Sequence, residues 1–343
     1  MYRWLRPWLF RLDAERAHAL TLDLIRWAGV FPASRWLLKT VFTLPRRPVQ
    51  AFGLTFKNPV GLAAGYDKDA RGLRGLACLG FSHIEAGTVT LQPQAGNPKP
   101  RVFRLVEDQA VINRMGFPGQ GALRVARRLS HNTLHDTIIG VNIGKNKDTP
   151  LEQAGEEYAA LVRIFAAHAD YLVINVSSPN TAGLRRLQER QSLEMLLSCA
   201  ATARQETLQA GSSRLLPILV KLAPDLEPAQ LDDALAAIQS AGMDGVIAAN
   251  TTLDRSDLRS RFSREAGGLS GAPLYTRSMQ MVRQITQLSS GKLPVVGVGG
   301  IMNPAGAQAM LDAGAVLVQV YTGLIYAGPG LVSEIVRSLP QPP

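Results

Sequence analysis

Eight short apolar runs in this 343-residue chain end on polar and glycine residues that such runs seldom carry. The first passes into Ala64-Gly65-Tyr66-Asp67-Lys68-Asp69, and the second into Gly87-Thr88-Val89-Thr90. The third passes into Asn142-Ile143-Gly144-Lys145-Asn146, and the fourth into Asn175-Val176-Ser177-Ser178-Pro179-Asn180. Lys221, Asn250-Thr251-Thr252, Gly297-Val298-Gly299-Gly300 and Tyr321-Thr322-Gly323 follow in turn. Asparagine is a poor strand former that offers a donor and an acceptor at once. One strand-end Asn is commonly a turn residue. Three of them, Asn142, Asn175 and Asn250, converging on one mouth point to a polar ligand. A lysine inside an apolar run, as at Lys221, is costly to bury unless a charge meets it. Ser178 reads equally as a turn serine before Pro179 or as a proton acceptor, because no His or Asp in its loop would activate it as in a triad.

The elements that must position these residues are the runs themselves: Val60–Ala64, His83–Gly87, Ile138–Ile143, Tyr171–Val176, Pro217–Leu222, Gly245–Ala249, Pro294–Val298 and Leu317–Val320. Near-continuous apolar strands separated by helical patterns mark buried parallel strands. Glu227–Ala241 is the clearest helix, with Leu231, Leu235 and Ile238 at helical spacing and Gly242 as its stop. Leu151–His168 and Pro304–Ala313 read the same way. Eight unbroken strand–helix units predict an α/β protein of the (β/α)8 TIM-barrel type, with a doubly wound sheet as the alternative. In a barrel the active site forms at the C-terminal ends of the strands, where the polar residues fall. The glycine loops after strands seven and eight lie where barrels bind phosphate through backbone N–H groups. They are not the GxGxxG of a dinucleotide fold. A phosphate-bearing cofactor beside Lys68 and Lys221 suggests FMN, whose reduced ring a lysine would stabilise.

Composition closes other routes. Two cysteines, Cys78 and Cys199, leave no room for a disulfide framework or an iron–sulfur cluster. Five histidines with no HExxH or CxxC argue against a metal site. Lys and Arg outnumber Asp and Glu by 37 to 27, yet residues 1–50 alone hold nine basic residues against three acidic ones. Trp4, Trp8, Trp27 and Trp36, all the tryptophans, share that leader. A nucleic-acid groove would spread such charge, so no nucleic-acid partner is expected. Arg3, Arg6 and Arg11 break the apolar runs that a signal peptide needs, and no stretch approaches the ~20 apolar residues of a spanning helix. One helix should open at Asp13 or Glu15 and run to about Ala28, and another should cover Ser34–Thr40 after Pro32. The leader reads either as a cap closing the barrel bottom or as an amphipathic device lying on an anionic membrane surface. The chain thus divides into a helical extension, residues 1–45, and a barrel, residues 46–343.

Six stretches carry a resemblance. Gly61–Asp69 (GLAAGYDKD), Asn113–Phe117 (NRMGF), Asn142–Asn146 (NIGKN), Asn175–Asn180 (NVSSPN), Asn250–Leu253 (NTTL) and Gly267–Gly271 (GGLSG) stand in the order found in dihydroorotate dehydrogenases. With the leader, the chain resembles the class 2, quinone-dependent, membrane-associated branch. The resemblance implies oxidation of dihydroorotate to orotate in pyrimidine (UMP) biosynthesis, with FMN as prosthetic group and a membrane quinone as acceptor. It makes Ser178 the catalytic base, where the related soluble class has Cys. It places substrate at Lys68, Asn113, Arg114, Met115, Gly116, Phe117, Asn175, Asn180, Asn250 and Thr251. It places FMN against Ala64, Gly65, Tyr66, Asp67, Lys68, Thr88, Asn142, Asn175, Lys221, Ala249, Gly271, Gly300, Tyr321 and Thr322. Quinone falls to His18, Arg104 and Tyr321. A monomer, peripheral on the cytoplasmic face of the inner membrane, is implied. Two positions depart from the family: Ala249 replaces the usual Thr, and Pro118-Gly119 follows Phe117 in place of Asn-Asn or similar.

Two other classes compete. An FMN barrel that reduces a nucleobase in RNA would be expected to carry a catalytic Cys and a basic domain after the barrel. A membrane-surface binding module would need no common ligand for Lys68, Lys221 and the strand-end asparagines. Removing the leader should spare the half-reaction in which dihydroorotate reduces FMN and abolish turnover with long-chain quinones.

Overall fold

Buried parallel strands need apolar side chains on both faces, and the eight apolar runs supply them. The computed structural model describes residues 2–131, 134, 136–211 and 214–340 and closes these runs into one barrel. Its strands are Val60–Leu62, His83–Val89, Ile138–Ile143, Tyr171–Asn175, Ile218–Leu222, Gly245–Ala248, Val295–Val298 and Ala315–Val320. Each pairs in parallel with the next, and the eighth returns to the first with Val318 opposite Val60. The first strand stops at Leu62, two residues short of the expected end, and the second runs on to Val89. The predicted TIM barrel is the fold, and closure removes the doubly wound alternative.

Strand alternation sorts the side chains. Ile84, Ala86, Val141, Ile143, Val220, Leu222, Val318 and Val320 join the main core beneath the helices, together with Leu231, Leu235 and Ile238 of the helix Pro228–Ser240. The other set fills the barrel. Val173, Leu219, Ile247, Val296 and Leu317 pack with Phe56, which a hairpin of Val49–Ala51 and Leu54–Phe56 supplies. Further along the same strands the alternate positions become polar: Glu85, Asn142, Lys221 and Gln319, all buried. An apolar floor and a polar upper layer put the chemistry at the C-terminal ends.

A second sheet was not expected from the sequence. Val102–Leu105 and Ala110–Asn113 form an antiparallel pair, and Gly268–Gly271 adds to the latter with Gly268 opposite Asn113. That third strand lies more than 150 residues along the chain and is half glycine, so no local pattern announces it.

The leader forms three helices: α1, Tyr2–Arg11; α2, Ala14–Val30; and α3, Pro32–Val41. Asp13 caps α2, its carboxylate accepting from the backbone N–H groups of Glu15 and Arg16 at 3.1 and 3.0 Å. Pro32 opens α3, where its missing N–H costs nothing. Helix α2 lies against the barrel helix Leu73–Ala77 so closely that a Cβ on Gly29 would sit 2.3 Å from the Gly75 nitrogen. Asp23 pairs with Arg71 at 2.7 Å, and Tyr2 donates to the Ile325 carbonyl at 2.5 Å. All four tryptophans are more than half exposed. Of the leader arginines Arg3, Arg6 and Arg11, Arg6 turns back toward the barrel and donates to the Tyr326 carbonyl. Among the described residues no helix is long and apolar enough to cross a membrane.

Candidate active site

Strand ends, second sheet and leader together enclose one cavity of about 740 Å³, within the range of small-ligand pockets. One end is the barrel mouth, lined by Lys68, Thr88, Asn175, Ser178, Lys221 and Asn250. The other end runs between the leader helices past Leu5, Leu9, Phe10, Leu24, Ile25 and Phe42. The wall changes from polar to apolar along its length.

At the mouth, the strand-end asparagines hold one another. Asn175 donates to Thr88 Oγ1 at 2.9 Å and to Asn142 Oδ1 at 3.1 Å, and accepts from Asn250 Nδ2 at 3.3 Å. Asn180 donates to Asn113 Oδ1 at 3.3 Å, joining the fourth-strand loop to the second sheet. Ser178 is buried, lines the cavity, and accepts a hydrogen bond from the Asn180 N–H at 3.2 Å. Lys221 Nζ has one partner among the described residues, Glu85 Oε1 at 3.9 Å. Glu85 is fully buried, and its two oxygens accept from Asn142 Nδ2 and Gln319 Nε2, each at 2.7 Å. The ammonium therefore keeps donors for a ligand on the cavity side. Lys68 donates to the Gly65 carbonyl at 2.6 Å; burial lowers its pKa to about 8, against the opposing charge of Glu15.

Three aromatic rings lead from the mouth to the leader. Tyr321 lies 6.0 Å from Tyr66, and Tyr66 lies 4.9 Å edge-on from His18 of α2. Burial first, then the charge of Lys68, lowers the His18 pKa to about 3, so this imidazole is neutral at physiological pH. Arg104 stacks over Phe10, 4.7 Å from the ring centre, and donates to the carbonyls of Leu9 and Leu12. It holds the α1–α2 turn in place.

Comparisons with known proteins identify the family of this chain. A sequence model of the dihydroorotate dehydrogenase family matches residues 48–342. The chain belongs to the dihydroorotate dehydrogenase family. Membership makes it an enzyme, an oxidoreductase. The dihydroorotate dehydrogenase (quinone) of Acidithiobacillus ferrooxidans is 50% identical over 347 residues, covering 99% of this chain and 94% of the relative. That of Stenotrophomonas maltophilia is 48% identical, covering 99% and 96%. Among solved structures, the Eimeria tenella enzyme in complex with ferulenol superposes with a TM-score of 0.86 at 36% identity, covering 96% of this chain and 93% of the other.

Most residues that the family resemblance singles out meet at this cavity, but three lie outside its lining. Asp67 is buried and accepts from the backbone N–H groups of Arg71 and Gly72, so it shapes the loop that carries Lys68. Asn142 sits one layer deeper, between Glu85 and Asn175. The Arg114 side chain turns away to Glu265 at 2.6 Å and over the ring of Phe103. The departures from the family pattern also find places. Ala249 lines the cavity with its N–H engaged by the Val298 carbonyl at 2.8 Å. Gly119, after Pro118, exchanges two backbone hydrogen bonds of 3.0 Å with Gln94.

Sequence reasoning missed the residues that hold these positions. Glu85 and Gln319 were legible in principle, as polar residues inside the apolar strands HIEAG and LVQV. Arg185 carried no such signal. It donates to the carbonyls of Ser177 and Thr251 at 3.1 and 2.8 Å while paired with Asp225 at 2.8 Å, and so ties the Ser178 loop to the Asn250 loop.

Proposed function

We propose that this enzyme oxidises dihydroorotate to orotate with FMN as prosthetic group and a membrane quinone as final acceptor, in pyrimidine biosynthesis. The observation that carries the reading is the single cavity: polar groups surround Ser178 and Lys221 at one end, and apolar leader residues line the other. The fit for FMN rests on Lys221, a buried ammonium facing the cavity with one counter-charge and no hydrogen bond among the described residues. Gly299 and Gly300 support it, at φ +125° and +72°. A Cβ would drive each into Ser278 or Tyr275, so both positions require glycine, and both line the cavity. Bound FMN would supply a two-electron acceptor for the hydride from C6 of dihydroorotate.

The remaining work falls to this chain's residues. Lys68, Asn113, Asn175, Asn180 and Asn250 present donors and acceptors suited to a carboxylate and ring amides. Ser178 Oγ takes the C5 proton and relays it to water; the hydrogen bond it accepts from Asn180 favours negative charge on that oxygen. The leader, residues 1–45, gives an apolar quinone a path that avoids water, and its exposed tryptophans, with Arg3 and Arg11, suit an anionic lipid surface. We place the enzyme as a peripheral monomer on the cytoplasmic face of the membrane, with no nucleic-acid partner.

The test is anaerobic mixing of the purified protein with dihydroorotate while flavin absorbance is followed. The parent should bleach. Ser178→Ala should keep its flavin and bleach about 10²–10⁴-fold more slowly, the usual size of a general-base contribution. Ser178→Cys should retain part of the rate. An alanine variant that bleaches at the parent rate refutes the base, and a parent with no flavin bands refutes the whole reading.

A further inference from the structure

The leader reaches the substrate end of the cavity as well as the acceptor end. Glu15, in the first turn of α2, meets the buried guanidinium of Arg101. Nη2 donates to Oε1 at 2.7 Å, and Nε donates to both carboxylate oxygens at 3.3 and 3.2 Å. Arg101 is also a hub for the segment before it, because Nη1 donates to the carbonyls of Ala95 and Asn97 at 2.8 and 2.9 Å. That segment in turn carries the substrate loop. Asn97 donates through its N–H to the Met115 carbonyl at 2.9 Å, and through Nδ2 to the carbonyls of Arg114 and Asn180, both at 3.1 Å. Gln94 Nε2 donates to the carbonyls of Gly116 and Phe117, each at 3.0 Å. An unbroken run of hydrogen bonds thus leads from a leader carboxylate to the backbone of Asn113–Phe117 and to Asn180.

We propose that Glu15 and Arg101 are positioning residues that couple the seating of the leader to the affinity of the substrate loop for its carboxylate ligand. The proposal rests on the reading that orotate and dihydroorotate bind at Asn113–Phe117 and Asn180. Without Glu15, the guanidinium of Arg101 stays buried with its Nε and Nη2 unmatched, a costly state for a charge. It must shift toward other acceptors or admit water, and either response loosens its hold on Ala95 and Asn97. The negative charge of Glu15 also favours protonated Lys68 at the same mouth. On this proposal, removing the leader would also weaken the dihydroorotate half of the reaction.

The experiment compares full-length holoenzyme carrying Glu15→Gln or Asp23→Asn. Both changes lie in α2 and remove ion pairs to the barrel, Glu15 from Arg101 and Lys99 and Asp23 from Arg71. Arg71, however, joins the Asp67 loop and among the described residues bonds to no residue of Asn113–Phe117. Orotate affinity is measured by calorimetry, and hydrogen exchange is followed in residues 94–101 and 113–117. Glu15→Gln should weaken orotate about five- to tenfold, the low end of couplings between linked sites. It should also speed exchange in both segments and raise KM for dihydroorotate while leaving KM for quinone unchanged. Glu15→Asp should recover part of the loss, and Asp23→Asn should match the parent. Parent-like orotate binding and exchange in Glu15→Gln overturns the coupling. So does an equal change in Asp23→Asn, which would reduce the contact to general docking. A parent that fails to bind orotate refutes the functional reading instead, and hydrogen exchange still reports on the Glu15–Arg101 link.

Discussion

Replacing Glu85 with Gln tests whether the barrel's buried carboxylate is the counter-charge of Lys221. The change keeps size and shape but removes a full charge 3.9 Å from the ammonium. At that distance and an effective dielectric of 20, the attraction is worth about 4 kcal/mol. Gln also has one acceptor oxygen where Glu has two, and both are in use, by Asn142 and Gln319. One buried amide donor would lose its partner, at a cost of about 1–3 kcal/mol. Glu85→Gln alone should therefore destabilise the protein by about 5–7 kcal/mol, the sum of the two terms, and Lys221→Met alone by about 3–5 kcal/mol, as expected when one member of a buried pair is removed. The double variant should lose about 2–4 kcal/mol less than the sum of the two, because no charge is left uncompensated. Equilibrium urea unfolding of the four proteins, followed by far-UV circular dichroism, measures this coupling. A value below about 0.5 kcal/mol would mean the two charges do not sense each other, and the account of how Lys221 is held at the mouth would fail.

Two further outcomes follow from the same geometry. With its pKa lowered to about 8, Lys68 is charged at neutral pH, so orotate affinity should be flat from pH 6 to 7.5 and fall as pH rises through about 8, approaching tenfold per unit. In the unliganded protein the sign is opposite: the unfolded chain holds the extra proton between about pH 8 and the ordinary lysine range, so stability gains there as pH rises. Calorimetric titration across pH 6–9.5 checks the first, and a pH-independent affinity would remove Lys68 from the substrate contacts. At the leader, Trp4 and Trp36 are 82% and 69% exposed, and changing either to Ser should lower partition onto anionic vesicles about five- to thirtyfold, for about 1–2 kcal/mol of lost apolar burial. Sedimentation with phosphatidylglycerol vesicles measures it, and unchanged partition in both variants would leave the leader without a membrane role.

The sequence alone determined the barrel and the place of its chemistry. Parallel strands buried on both faces must be apolar throughout, so the eight runs stood out, and the polar residues at their ends were carried toward the mouth. Local capping chemistry read in part: Asp13, one of the two starts offered, caps α2, and α3 begins at Pro32, two residues ahead of the expected Ser34. Pairings between distant segments were decided only by the tertiary structure. Gly268–Gly271 joins a sheet with Ala110–Asn113 because the barrel brings them together, and a glycine-rich tetrapeptide has no strand signal of its own. Helix α2 meets Leu73–Ala77 at Gly29 and Gly75, two glycines that look like ordinary breaks until a close approach explains them. The same holds for charge. Composition located a basic leader, but it took the folded chain to turn Arg6 inward and to set Glu15 against Arg101, 86 residues away. Periodicity and capping are written in neighbouring residues, whereas the partner of a buried charge is chosen by whichever distant segment the fold carries past it.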